Sequence, residues 1–180
     1  PSYYFIEELL TVKTIYEFWM PLLDRLKNFN SRLKTIFTVS PVRYLKEGAH
    51  GNQVSKSVLF LAIENLLSHP SSPYYFPAYE LVMDDLRDYR FYSDDMVHPS
   101  SFAVNYVFNV FSHAYFSDET INLINEVIEI VKAGKHRLLS PAGESAKKFS
   151  ITVLDRISAI EKKIPGIDFT AEKEYFHSLI

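Results

Sequence analysis

A carboxylate and an imidazole lie three residues apart near the middle of the chain. Asp95 and His98 precede Pro99, which is typical of the first turn of a helix. In hydrolases, a carboxylate in such a loop holds a histidine ring in one tautomer, and the ring then removes a proton from a nucleophile. Histidine suits this role because its ordinary pKa lies near physiological pH. The spacing also allows a simpler hypothesis, in which His98 caps the helix and Asp95 is solvated.

A nucleophile to complete a triad is missing from these residues. Neither Gly-Asp-Ser nor Gly-x-Ser-x-Gly occurs in the sequence. Ser145 follows a predicted loop and is interpreted as a helix-start residue. Ser40 ends a predicted strand and is a candidate hydroxyl lining the site, although Pro41 offers no N–H to an oxyanion. The count of zero cysteines excludes a thiolate nucleophile, thiolate zinc sites and disulfides within this chain.

Three acidic residues suggest a different chemistry. Asp84, Asp85 and Asp88 match the Asp-Asp-x-x-Asp pattern that binds magnesium diphosphate in terpene-forming enzymes. Arg87 and Arg90 lie among them, which favours ion pairs over a metal site. A Mg²⁺-dependent diphosphate enzyme is therefore the weakest of three functional hypotheses.

Composition narrows the classes of partner and cofactor. The 19 Lys and Arg against 22 Asp and Glu give a net charge of −3, and without a basic run we predict no nucleic-acid binding. His98 and His113 lack histidine partners at helical spacing, and no glycine-rich phosphate loop is present, so we predict no metal and no cofactor.

No apolar run approaches the ~20 residues of a membrane helix. Without a signal-peptide pattern or cysteine, we predict a cytoplasmic location.

Periodicity predicts a strand–helix–strand unit in the first half. An amphipathic helix spans about residues 6–26, with a kink or a second helix at Pro21. Residues 34–39 and 74–76 are rich in β-branched and aromatic types and are predicted strands. The helix between them has Asn52 as its predicted N-cap. This order predicts a parallel β–α–β crossover.

The second half is predicted to be helical. Residues 79–92 are predicted as a helix followed by a loop, and further helices follow Pro99 and Ser117, the latter ending at Gly134. A last long helix is predicted over about residues 144–164. Aromatic residues concentrate between Tyr74 and Phe116, which indicates either a core or an interface.

Several short blocks, in order, carry a more specific signal than any single motif. They are residues 37–43 (FTVSPVR), 52–57 (NQVSKS), 75–80 (YFPAYE), 84–92 (DDLRDYRFY) and 95–99 (DMVHP). Together they resemble the carboxy-terminal half of the GSCFA family, which is related to the SGNH/GDSL hydrolases. The resemblance covers roughly residues 5–149.

The resemblance implies a fold and an activity. It implies a partial flavodoxin-like three-layer α/β/α fold, helix-rich with few parallel strands, over residues 1–140, and we expect a helical extension over 141–180. It makes Asp95 and His98 the acid–base pair of an ester or acyl hydrolase acting on a small molecule or a glycan. We assign Ser40, Arg90 and Tyr92 as residues that line the substrate site.

The same resemblance implies a missing part. The family's Gly-Ser-Cys-Phe-Ala segment, which would supply the nucleophile, has no counterpart here. We therefore expect this chain to be the carboxy-terminal portion of a hydrolase and to be inactive alone. A parallel strand without its neighbour exposes unpaired backbone groups, so we also expect a homo-oligomer or completion by a separate amino-terminal half. The alternative function is a non-catalytic interaction module that uses the aromatic-rich face and the carboxy-terminal helix.

Overall fold

The computed structural model describes residues 8–135 and 143–180. The chain divides into two compact units, Pro1–Phe111 and Ser112–Ile180. The predicted boundary between residues 140 and 141 lies outside the described residues and stays a prediction. No helix of the described ranges is both long and apolar enough to cross a membrane.

The first unit contains helices and a small parallel sheet. Its elements, in chain order, are α1 (Val12–Phe29), β1 (Ile36–Phe37), α2 (Gly48–Leu67), β2 (Tyr74–Tyr75), α3 (Ala78–Glu80), a π-helical segment (Leu81–Asp85), a 3-10 turn (Tyr89–Phe91) and α4 (Ser101–Tyr115), whose last residues, 112–115, belong to the second unit. The predicted helix within 79–92 is thus divided into three short segments. The overall class is helix-rich with a minor β component.

The two strands pair in parallel, with Ile36 opposite Tyr74 and Phe37 opposite Tyr75. The Tyr74 N–H donates to the Thr35 carbonyl and the Phe76 N–H donates to the Phe37 carbonyl, both at 2.8 Å. Because α2 connects the strands, the predicted β–α–β crossover is confirmed. Within the described part of the chain, β2 is the one strand that pairs with β1. The other edge of β1 therefore carries no strand there.

The structure corrects two helix predictions in the first unit. Of the two alternatives at Pro21, the second helix is wrong because α1 continues through this residue, whereas the kink stays a prediction. α1 instead begins at Val12, where the Thr11 hydroxyl accepts the Thr14 N–H at 3.1 Å. Asn52 does not cap α2, which begins four residues earlier at Gly48. The Asn52 side chain is buried and bonds to a distant backbone group, so tertiary contact overrides the local capping preference.

Aromatic and aliphatic side chains fill the interior of the first unit. One cluster consists of the buried residues Val82, Leu86, Tyr92 and Ala103. The Trp19 ring meets the edge of Phe37 with centroids 5.0 Å apart, and Phe76 meets Phe111 at the same separation. At least part of the aromatic-rich segment is therefore core.

The second unit is a helical assembly with its own core. It contains α5 (Asp118–Lys135), α6 (Glu144–Lys163) and α7 (Thr170–His177). The predicted cap of α5 is confirmed, since the Ser117 hydroxyl accepts the Thr120 N–H at 3.2 Å. The predicted last long helix corresponds to α6, whereas α7 was not predicted. Six buried residues form the core: Ile130, Val153, Ile157, Ile160, Phe169 and Phe176.

Gly134 does not end α5 as predicted but lies inside it. A Cβ added there would come within 3.6 Å of the Glu172 side chain, in ordinary van der Waals contact. An alanine would therefore fit at this position, so the contact with α7 does not require glycine.

Candidate functional site

The predicted acid–base pair lies in a tight loop between the 3-10 turn and α4. The Ser100 N–H donates to the Phe91 carbonyl at 2.7 Å, and the Ser93 N–H donates to the His98 carbonyl at 2.8 Å. At the turn, Met96 has a φ of +60°, a left-handed conformation that is uncommon for residues other than glycine. The backbone bonds at both ends of the loop hold this conformation in place.

Asp95 binds three hydrogen-bond donors. Its Oδ1 accepts the backbone N–H groups of Val97 at 2.9 Å and His98 at 3.0 Å. Its Oδ2 lies 2.6 Å from His98 Nδ1. The backbone N–H of His98, its ring and the N–H of Val97 together lower the pKa of the Asp95 carboxyl to about 2. The carboxylate is therefore charged at any physiological pH.

The arrangement fixes the chemistry of the His98 ring. An ionised carboxylate can only accept, so the proton of the 2.6 Å bond lies on Nδ1. In the neutral ring this leaves a lone pair on Nε2, which no side chain or backbone group of the described residues occupies. The His98 side chain is 61 % exposed. A histidine in this state can act as a general base on an incoming hydroxyl.

A second histidine–carboxylate contact serves as a contrast. His69 Nε2 lies 3.2 Å from Asp24 Oδ1, and His69 Nδ1 accepts the Ser71 N–H at 3.0 Å. The Ser71 hydroxyl is also near, 2.8 Å from Nδ1. The types of residue match a triad, but the His69 side chain is only 2 % exposed. This group joins α1 to the turn after α2 and leaves no room for a substrate.

The lowered pKa of Asp95 gives a direct test of the loop geometry. Carboxyl ¹³C NMR should show Asp95 titrating near pH 2. The stabilisation that this carboxylate provides should be complete above its ordinary pKa of ~3.9 and be lost as the pH falls through about 2. In His98→Ala the pKa should rise yet stay below the ordinary value, because the two backbone donors remain. An ordinary Asp95 pKa in the unmodified chain would contradict the geometry.

Polar residues of α2 hold the segment after β1. Asn52 and Lys56 lie one helical turn apart and are both buried. The Asn52 Oδ1 accepts the Tyr44 N–H at 2.8 Å, and the Lys56 ammonium donates to the Ser40 carbonyl at 2.6 Å. Burial lowers the pKa of Lys56. This pair therefore fixes both ends of residues 40–44.

The segment held by α2 lies against the loop that carries His98. The Arg43 N–H donates to the Val97 carbonyl, one residue before His98, at 3.2 Å. The Arg43 guanidinium lies over the Tyr92 ring, 4.2 Å from its centroid. Neither Arg43 nor Lys56 was predicted as a site residue. Two features of the sequence could have indicated them. Arg43 and Lys56 each lie in one of the short sequence blocks, residues 37–43 and 52–57, and Lys56 is a cation within an otherwise apolar helix.

The predicted substrate residues occupy different surroundings. The Ser40 hydroxyl accepts the Val42 N–H at 3.2 Å. Arg90 is exposed, with its guanidinium over the Phe91 ring at 4.8 Å. Tyr92 is buried, and its ring lines a cleft of about 330 Å³. None of these three contacts Asp95 or His98 through a hydrogen bond, and their role in binding substrate stays a prediction.

The three acidic residues of the diphosphate pattern do not converge. Asp84 pairs with Arg87 at 3.1 Å, and Asp85 accepts the Tyr106 hydroxyl at 2.8 Å. Asp88 accepts the Arg90 N–H at 3.0 Å. Within residues 8–135 and 143–180, no group of three or more His, Cys, Asp or Glu side chains could hold a metal ion. The geometry gives no support to the magnesium diphosphate hypothesis.

Comparison with known proteins identifies two family regions. The model of the GSCFA family matches residues 1–111, and the model described as GSCFA domain protein, C-terminal domain, matches residues 127–180. The first match includes the loop that carries Asp95 and His98. Neither the curated proteins nor the solved structures give a match to this chain.

Proposed function

Because this chain belongs to the GSCFA family, we propose that it supplies the acid–base pair of an SGNH-type ester or acyl hydrolase. The observation that carries the proposal is the orientation of His98. Its Nδ1 is bound to the Asp95 carboxylate, Nε2 has no partner among the described residues, and the side chain is 61 % exposed. A catalytic base needs both features, since one nitrogen must be held and the other must reach the reacting hydroxyl.

The proposed reaction uses a serine hydroxyl from the family's Gly-Ser-Cys-Phe-Ala segment, which these 180 residues do not contain. His98 Nε2 takes the hydroxyl proton as the serine oxygen attacks the ester carbonyl. The imidazolium, stabilised by Asp95, then gives that proton to the departing alcohol. A water molecule reverses the roles, releasing the acid and restoring the serine. On this account the chain alone is inactive.

The proposal extends to fold, substrate and location. The parallel β1–α2–β2 unit is compatible with part of a three-layer, flavodoxin-like sheet, since such folds are built from right-handed crossovers of this type. We propose a small-molecule or glycan ester as the substrate. A cytoplasmic location remains part of the proposal, in keeping with the lack of cysteine.

The test is an ester assay on a longer polypeptide. The chain is expressed together with the sequence encoded upstream of Pro1, and hydrolysis of short 4-nitrophenyl acyl esters is followed. Activity that depends on His98 supports the proposal. Activity unaffected by His98→Ala overturns it.

The alternative is an interaction module, and a second copy of this chain is the partner we consider. Within the described residues one edge of β1 is unpaired, and Ile36 of this strand lines an apolar cleft of about 380 Å³ together with Val104 and Phe108 of α4. Val104 is 54 % exposed and Phe108 is 46 % exposed. An unpaired strand beside apolar surface favours association by strand pairing.

Self-association should therefore be visible in sedimentation velocity. Over an approximately hundredfold range of concentration, the chain should shift from monomer to larger species. Thr38→Lys, which places a charge beside the free edge of β1, should weaken association. Ser57→Lys on the exposed side of α2 is the matched control and should not. A monodisperse monomer with sharp two-state unfolding would contradict this expectation.

A further inference from the structure

We infer that Arg43, stacked on Tyr92, binds an anionic group of the substrate, either a carboxylate or a phosphate. The inference rests on the proposed function, since it names the substrate class for the same site. Its starting point is the cleft of about 330 Å³, whose lining includes Arg43, Arg87, Asp88 and Tyr92.

The charges of the cleft single out Arg43. Arg87 is paired with Asp84 at 3.1 Å. Asp88 caps the 3-10 turn through the Arg90 N–H and lies 3.8 Å from the Arg90 Nε. Arg43 forms no ion pair with a carboxylate of the described residues, and its charged group contacts aromatic rings instead. Among the described charged residues that line this cleft, Arg43 is therefore the one whose charge is not paired with an opposite charge.

The guanidinium N–H groups of Arg43 have no hydrogen-bond acceptor among the described residues. The guanidinium lies 4.2 Å from the centroid of Tyr92, and Tyr92 is buried at 8 % exposure, so the platform beneath the cation is fixed. A second ring, Tyr89, lies 5.8 Å from the same cation. A guanidinium beside aromatic rings makes no hydrogen bond to a carboxylate there, so its N–H donors are left to bind the paired oxygens of a carboxylate or phosphate.

The position relative to His98 connects this subsite to catalysis. The Arg43 N–H donates to the Val97 carbonyl at 3.2 Å, and Tyr92 forms a backbone bridge with Pro99. Both residues of the stack are therefore attached to the immediate neighbours of His98. An anion held by Arg43 would orient the remainder of the substrate beside the exposed imidazole. We assign Arg43 as a specificity-determining residue rather than a catalytic one.

Binding can be tested on the chain alone. Inorganic phosphate and acetate are titrated separately at constant ionic strength, and the arginine Nε–Hε resonances are followed by NMR. The Arg43 signal should shift saturably with at least one anion, and the tighter of the two indicates the group carried by the substrate. Arg43→Gln should weaken binding at least about tenfold, whereas Arg87→Gln, the matched control in the same cleft, should change it less than about twofold.

Several results would overturn the inference. They are no saturable shift with either anion, unchanged binding in Arg43→Gln, or an equal loss in Arg87→Gln, which would indicate general charge screening. Arg43→Lys keeps the charge without the planar fork and should bind more weakly than the unmodified chain, so the inference stays testable if the glutamine variant does not fold.

A second measurement separates this inference from the proposed function. In the longer polypeptide, the preference for mono-4-nitrophenyl succinate over 4-nitrophenyl butyrate should fall about tenfold in Arg43→Gln and persist in Arg87→Gln. Hydrolysis that depends on His98 with an unchanged preference would refute the anion subsite alone. Anion binding by Arg43 without hydrolysis that depends on His98 would refute the proposed function alone.

Discussion

Replacing His98 by alanine should lower kcat/KM for short acyl esters by about 10³-fold or more in a polypeptide that also contains the nucleophile segment. The reason is that His98 Nε2 is the proposed proton acceptor, while Nδ1 of the same ring is held by the Asp95 carboxylate. The loss should appear in kcat as well as in kcat/KM, because proton transfer belongs to the transition state. The measurement is steady-state hydrolysis of a 4-nitrophenyl ester.

His50→Ala is the matched control for that result. His50 is an exposed histidine in the same unit, within α2, and its replacement should leave hydrolysis within about twofold of the unmodified rate. Thermal unfolding of both variants checks that the fold is retained, since the His98 side chain is 61 % exposed and fills no core. Equal losses in the two variants would contradict a specific role for His98.

Truncation of the second unit's core should produce the largest loss of stability. Ile157 lies on α6 with an exposed fraction of 0 %, inside the cluster formed with α5 and α7. Ile157→Ala should lower the free energy of unfolding by about 2–4 kcal/mol, through lost burial and the cavity left behind. Urea unfolding followed by far-UV circular dichroism measures the change, since unfolding of α5, α6 and α7 removes part of the helical signal.

The same substitution elsewhere on α6 provides the control. Ile151 is 48 % exposed, and Ile151→Ala should cost less than about 1 kcal/mol. Similar urea midpoints for the two variants would show that the helices do not pack as described. A selective effect of Ile157→Ala would support the packing of α5, α6 and α7 around this side chain.

The parts of the fold that follow from local pattern could be predicted. The apolar runs at 34–39 and 74–76, with a helix between them, correctly indicated a parallel crossover. Ser117 was correctly identified as a cap, because that bond reaches only three residues along the chain. Asn52 was misread, because its side chain accepts the Tyr44 N–H from a segment eight residues away instead of capping α2. A residue type that often caps helices can instead bind a distant segment of the chain, and the local sequence does not distinguish these two roles.

The candidate site shows the same division. The contact between Asp95 and His98 follows from a spacing of three residues and could be predicted. Arg43 could not, because its role depends on Val97 and Tyr92, which lie about fifty residues further along the chain. The anchoring of Ser40 by Lys56 likewise needs the path of the crossover. The contact between residues close in sequence could therefore be predicted, whereas the contacts between distant segments around it could be identified only from the structure.

The most direct test of the acid–base pair is a double-mutant cycle on ester hydrolysis in the longer polypeptide. If Asp95 acts through His98, Asp95→Asn should lower kcat/KM by about 10²-fold or more when His98 is present. In the His98→Ala background the same substitution should change kcat/KM by less than about threefold, because the group it orients is gone. Equal losses in both backgrounds would show that Asp95 does not act through His98 and would contradict the proposed pair.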